Sequence, residues 1–145
     1  MGTPSSDDAT VPSPTGRAAA FIQLGKALGL FAEAVPWPGH GCGLTEDEYA
    51  SFDNAVRSAR QHNGWFTEEN VRHAAKGLSK MLSAKAVEQW LARYPRSMAF
   101  HAPRTIGVIM AGNIPFVGFH DRLCVLVAGH RAAVKTASED AGLTS

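Results

Sequence analysis

The chain has 145 residues, 45% of them hydrophobic, and a formal net charge of +1. That suffices for one packed domain or part of one, and near-neutral, scattered charge argues against an electrostatic nucleic-acid binder or a trap for acidic ligands. Two distant cysteines, Cys42 and Cys124, form neither a disulfide framework nor a zinc spacing, which points to a reducing cytoplasm.

The opening MGTPSSDDATVPSPTG is polar and Pro/Ser-rich, with no apolar core of a signal peptide, so residues 1–15 are expected to be disordered. From Arg17 a helix follows, with Phe21, Leu24, Leu28 and Phe31 as one apolar stripe, stopped by Pro36 and Pro38. VPWPGHGCG is a loop by composition. Thr45 and Glu48 have capping-box spacing, flanked by Leu44 and Tyr49 as a hydrophobic staple. Tyr49, Phe52, Val56 and Ala59 then share a face until Asn63-Gly64 ends the second helix. Thr67 caps a third helix with Glu68 and Glu69 in its first turn, and Val71, Ala74, Ala75, Leu78 and Leu82 form its stripe. Ser83 caps a fourth, with Val87, Trp90, Leu91 and Tyr94 inward and Pro95 closing it. Trp37, Trp65 and Trp90 read as core anchors, because no basic stripe accompanies them.

After Pro95 the pattern changes. Thr105 to Ala111 is a short β-branched run between Pro103 and Gly112, which predicts a buried strand. Ile114 to Ala128 predicts a helix with Pro115 in its first turn and Gly129 just past its end. Arg131 to Lys135 predicts a second strand. Strand, helix and strand over about thirty residues are a βαβ unit, hence a parallel pair. The segment at 114–128 is too short, and too interrupted by His120, Asp121 and Arg122, to span a membrane. The predicted architecture is α/β: a tail at 1–15, a helical segment at 16–95, and at 96–145 the first βαβ unit of an incomplete cofactor-binding domain. Two strands do not make a finished sheet, so either other chains complete it, as in a homo-oligomer, or the sequence is the front of a longer protein; the second is the expectation here.

In open parallel sheets ligands bind beyond the carboxyl ends of the strands. Asn113 follows the first strand and Lys135 closes the second, so both face that crevice. The plain alternative makes Asn113 a helix cap and Lys135 a solvated strand end. Gly112, Gly118 and Gly129 match neither a dinucleotide fingerprint nor a phosphate loop.

The pair GVIMAGNIPFVGFHD and LVAGHRAAVKTASED, with NGWFTEENV and WLARYP before them, resembles the acyl-CoA reductase family, the LuxC-like fatty-acid reductases of the aldehyde dehydrogenase superfamily. The resemblance runs from about Phe21 to the end of the sequence. It implies a Rossmann-like domain and reduction of a fatty acyl thioester, on coenzyme A or a protein carrier, to an aldehyde with NADPH through a cysteine acyl-enzyme. It further implies that Asn113 donates its amide to the developing oxyanion. Met110 and Ala111 would line the dinucleotide, and Lys135 would hold the adenosine ribose or its phosphate. Ser138 stands near the ribose position with Glu139 next to it, and an inward Glu139 would disfavour a 2′-phosphate. The nucleophilic cysteine of that family falls beyond Ser145, so Cys124 reads as a packing residue and Cys42, beside His40, as a loop cysteine. His120-Asp121 reads as a polar spot on a helix. Two rivals remain: another CoA-acylating aldehyde dehydrogenase or acyl-phosphate reductase, and a small helical interaction module without catalysis.

Overall fold

A computed structural model describes residues 14–94 and 102–136. In chain order it contains α1 (Pro14–Ala32), a 3-10 turn (His40–Cys42), α2 (Glu46–His62), α3 (Glu68–Met81), α4 (Ala84–Leu91), β1 (Thr105–Ile109), α5 (Phe119–Val127) and β2 (Arg131–Lys135). The class is mixed and helix-rich, with one two-stranded parallel sheet among the described residues. Most of the segment expected to be disordered, and Pro95, lie outside those residues.

The helix starts follow the local chemistry of the sequence. At α2 the Thr45 hydroxyl accepts from the Glu48 N–H at 3.3 Å, and the Glu48 carboxylate accepts from the Thr45 N–H at 2.9 Å. This capping box holds the Glu48 carboxyl below its ordinary range, chiefly through the Thr45 backbone donor. Thr67 and Ser83 cap α3 and α4 by accepting from Asn70 N–H and Ala86 N–H. The end of α1 differs from expectation. It stops at Ala32, ahead of Pro36, because Ala34 turns left-handed at φ 52 and the Val35 N–H returns to the Leu30 carbonyl at 3.0 Å. The α2 end falls where expected, at His62 with Asn63 as its cap, and Asn63 is extended there at φ −144.

The long α1 lies against α3, antiparallel and at very short range. A Cβ on Gly25 would stand 2.6 Å from Leu82 Cβ and 3.1 Å from its carbonyl oxygen, and one on Gly29 would stand 2.8 Å from Ser79 Oγ. One turn further, Lys76 Nζ pairs with Glu33 Oε1 at 2.7 Å. The expected stripe holds at Phe21, Leu28 and Phe31 and fails only at Leu24. Gly25 is buried where the helices touch, whereas Leu24 is 36% exposed. The other flank of α1 meets α5. Ala18 and Leu28 share one apolar cluster with Ala75, Leu82, Val87, Leu123 and Val127. The Arg17 guanidinium also donates to the Val127 carbonyl at the α5 C-terminus, at 3.2 Å.

Two further clusters complete the interior. Ala27, Phe31, Cys42 and Tyr49 pack together, with Phe31 stacked on Tyr49 at 4.2 Å between centroids and the Tyr49 hydroxyl donating to Val35 carbonyl at 2.7 Å. Val56, Ala59, Phe66 and Val71 form the third. Phe66 corrects the tryptophan reading. Trp65 is 76% exposed, because the chain turn places Phe66, almost fully buried, in the core position instead. Tyr94 is likewise outside the core at 47% exposure, edge-on to Trp90 beyond the end of α4.

Between α1, α2 and α3 sits an ionic knot. Arg72 pairs with Asp53 at 3.0 Å and Glu68 at 2.7 Å and also donates to the Phe31 carbonyl, while Arg57 pairs with Asp53 at 2.7 Å. Burial pushes the Asp53 carboxyl up, but the N–H donors of Arg57 and Arg72 outweigh it and hold the group below its ordinary value.

Two expected outcomes follow from this packing. Gly25→Ala should destabilise by about 1–3 kcal/mol in urea unfolding, since Leu82 Cβ and backbone cannot yield cheaply. Gly29→Ala should be near neutral, because the Ser79 hydroxyl can rotate away and alanine gains up to about 1 kcal/mol of helix propensity. For Asp53 the sign is fixed by its depressed folded pKa. Its contribution is complete above the unfolded value of about 4 and is lost as pH falls through the lower folded value. Denaturation midpoints measured from pH 6 down to pH 2 should therefore fall on acidification, and Asp53→Asn should remove part of that slope.

Candidate functional site

The strands pair in parallel with Thr105 opposite Arg131 and Ile109 opposite Lys135. The register is closed at both ends, by Arg131 N–H to Arg104 carbonyl at 2.8 Å and Met110 N–H to Lys135 carbonyl at 2.9 Å. Side chains alternate: Ile106, Val108, Ala132 and Val134 are covered, and Thr105, Gly107, Ile109, Arg131, Ala133 and Lys135 are exposed. The strand expected to be buried on both faces is buried on one, with Ile109 84% exposed. The reason is that α5 packs against the pair, while no described element covers the other face.

The segment after β1 departs from expectation. No helix begins at Ile114. Val117 N–H returns to Ile114 carbonyl at 3.2 Å and Phe119 N–H to Phe116 carbonyl at 3.0 Å, two successive turns with Phe116 at φ 60 and Gly118 at φ 79. Those left-handed residues break helical progression, so α5 starts only at Phe119. Core packing accounts for the detour. Phe116 is drawn in against Phe52, near-parallel at 6.4 Å, and packs on two of the apolar clusters. Gly118 lies over Met110, where an added Cβ would stand 2.7 Å from Met110 Cγ. At its other end α5 closes as expected. Gly129 is left-handed at φ 88, and His130 N–H reaches Val125 carbonyl at 3.0 Å.

Asn113 is consequently no helix cap. It is exposed in the loop at the carboxyl end of β1, and Lys135 is exposed at the carboxyl end of β2. Among the described residues neither side chain has a hydrogen-bond or ion-pair partner. Met110 is 5% exposed with its N–H already given to Lys135, so Ala111 is the accessible member of that pair. Ser138 and Glu139 lie outside the described residues.

Sequence reasoning missed one contributor. Asn63 Nδ2 donates to the Gly112 carbonyl at 2.7 Å, across 49 residues of chain, and so ties the end of α2 to the loop that carries Asn113. An Asn-Gly pair after a helix signals a cap; no local signal announces a partner that distant.

The cysteines occupy unlike settings. Cys42 is buried with Sγ 3.7 Å from Leu44 carbonyl, and His40 turns instead to the Trp37 ring at 5.1 Å. Cys124 is half-buried, with Sγ 3.7 Å from His120 Nδ1. Burial, and then the Asp121 charge, push its thiol above its ordinary value. His120 also lies 6.0 Å from the Trp90 ring. Among the described residues no cluster of three or more His, Cys, Asp or Glu could hold a metal, and no helix is long and apolar enough to cross a membrane. No family model, curated protein or solved structure matches this chain.

A raised pKa leaves Cys124 a poor nucleophile. Iodoacetamide at neutral pH should label it more slowly than it labels glutathione, and incubation with an acyl-CoA should leave no thioester on Cys42 or Cys124 by intact-mass measurement.

Proposed function

We propose that this chain supplies the helical preface and the opening of the dinucleotide-binding fold of an acyl-CoA reductase. The reaction converts a fatty acyl thioester and NADPH, with a proton, into an aldehyde, free thiol and NADP. The observation that carries the reading is the register that sets Ile109 opposite Lys135, because it brings the AGN loop and the lysine to one rim of a parallel pair. Dinucleotide sites in open α/β sheets lie at such rims, and here the donors fit in kind. Lys135 offers an exposed ammonium, without a partner among the described residues, for ribose hydroxyls or phosphate, and Ala111 offers exposed backbone. NADPH, when bound, supplies the hydride.

Asn113 faces the thioester carbonyl in this reading. Its carboxamide N–H meets negative charge that grows on the oxygen as a thiolate attacks, so it favours the transition state over the bound substrate. The attacking thiol is neither Cys42, which is buried, nor Cys124, whose pKa is raised; the reading takes it from beyond residue 145.

A second reading, an interaction module that docks through its C-terminal apolar segment, is favoured by the exposure of Ile109 at 84% and Ile114 at 55%. Fluorescence titration with NADPH separates the two. Lys135→Ala should weaken binding about tenfold, the loss of one charge-assisted hydrogen bond, whereas Asn113→Ala should leave affinity within about twofold. Unchanged affinity in Lys135→Ala defeats the cofactor assignment. Absence of any NADPH binding, together with a stable complex in sedimentation, favours the interaction module.

A further inference from the structure

Asn63 is the one polar residue among the described residues that is buried to core level, at 5% exposure. Its hydrogen-bonding groups are used on both sides. The backbone N–H donates to Ala59 carbonyl at 3.0 Å, and the carbonyl accepts from Phe66 N–H at 2.9 Å. The side-chain oxygen accepts from Trp65 N–H at 3.0 Å, and the side-chain nitrogen donates to Gly112 carbonyl at 2.7 Å. One partner is a donor and the other an acceptor, so only one orientation of the carboxamide satisfies both. A buried amide that spends its donor on one peptide group of a loop fixes the tilt of that peptide plane. The next residue along is Asn113.

We propose that Asn63 is a positioning residue for Asn113. Through the Gly112 carbonyl it sets the orientation of the peptide that carries the rim carboxamide, and it thereby aligns a donor on the loop after β1 with a thioester oxygen. The inference rests on the reading of Asn113 given above. It adds a role for the helical preface: α2 contributes to the site without touching substrate.

Asn63→Asp is the sharp variant. It keeps the acceptor for Trp65 and sets a carboxylate oxygen against the Gly112 carbonyl, two acceptors that repel. In NMR spectra of the unaltered protein the Asn63 side-chain amide protons should exchange slowly and show coupling through the hydrogen bond to the Gly112 carbonyl carbon. The Asn113 backbone amide shares a peptide plane with that carbonyl and should stand apart from random-coil positions. In Asn63→Asp the Val117 and Phe119 amides, which close the two turns of the loop, should exchange about tenfold faster, the scale of one buried hydrogen bond. The Asn113 backbone amide signals should collapse toward random-coil positions, while the amides of α2 and α3 stay within about twofold. Loop exchange and Asn113 signals unchanged by the variant overturn the proposal. If the variant does not fold, the unaltered protein decides: fast Asn63 side-chain exchange, or an Asn113 backbone amide at random-coil positions, overturns it equally. NADPH added to the unaltered protein separates the two ideas. If no signal moves, the dinucleotide reading falls, and the Asn63 tie is still judged by exchange and coupling.

Discussion

The arrangement depends on the near-contact of two helix backbones, α1 at Gly25 with Leu82 at the end of α3. Because no side chain separates them there, α1 sinks far enough to use both flanks. One flank buries Ala27 and Phe31 with Tyr49; the other buries Ala18 and Leu28 with Leu123 and Val127 of α5. A fully buried aliphatic or aromatic side chain contributes roughly 1.5–3 kcal/mol relative to exposure. Such gains can be collected on two sides only if the helix is seated this deeply. The same seating brings Arg17 to the C-terminal carbonyls of α5. The helical segment and the βαβ unit thus share one interior.

That shared interior dictates the shape of the rim. Phe116 is claimed by the core between Phe52 and the α5 cluster, and its left-handed backbone prevents the helix from starting where periodicity would start it. The loop after β1 is therefore longer than a strand-to-helix turn needs to be. Its ends are held by Met110 beneath Gly118 and by Asn63 at Gly112, which leaves Asn113 between two fixed points. Precision at an exposed residue is obtained here from buried neighbours.

The parts legible in the sequence were those decided within a few residues. Thr45 with Glu48, Thr67, Ser83 and Gly129 each satisfy a helix end locally, and the βαβ order follows from run length and turn residues. The parts that misled were decided at a distance. Leu24 has the correct spacing for the core, but the Gly25 contact rotates the helix away from it. Trp65 is the larger apolar side chain, yet the turn fixed by Asn63 and Asn70 delivers Phe66 inward. Ile114 and Pro115 have the composition of a helix start, and the demand of Phe116 for burial overrides it. For the rim, the placement of Asn113 and Lys135 at strand ends was readable, and the hold of Asn63 was not.

The alternation along the strand pair has one more consequence. Sliding β2 past β1 by a single residue would turn its covered residues, Ala132 and Val134, outward and press Arg131, Ala133 and Lys135 against α5. An ammonium forced into that apolar layer without a counter-charge would cost far more than the shift could recover. The valines at 108 and 134 therefore act as a ratchet pawl for a lysine on the other face: the height of Lys135 along the sheet is guarded from the opposite side.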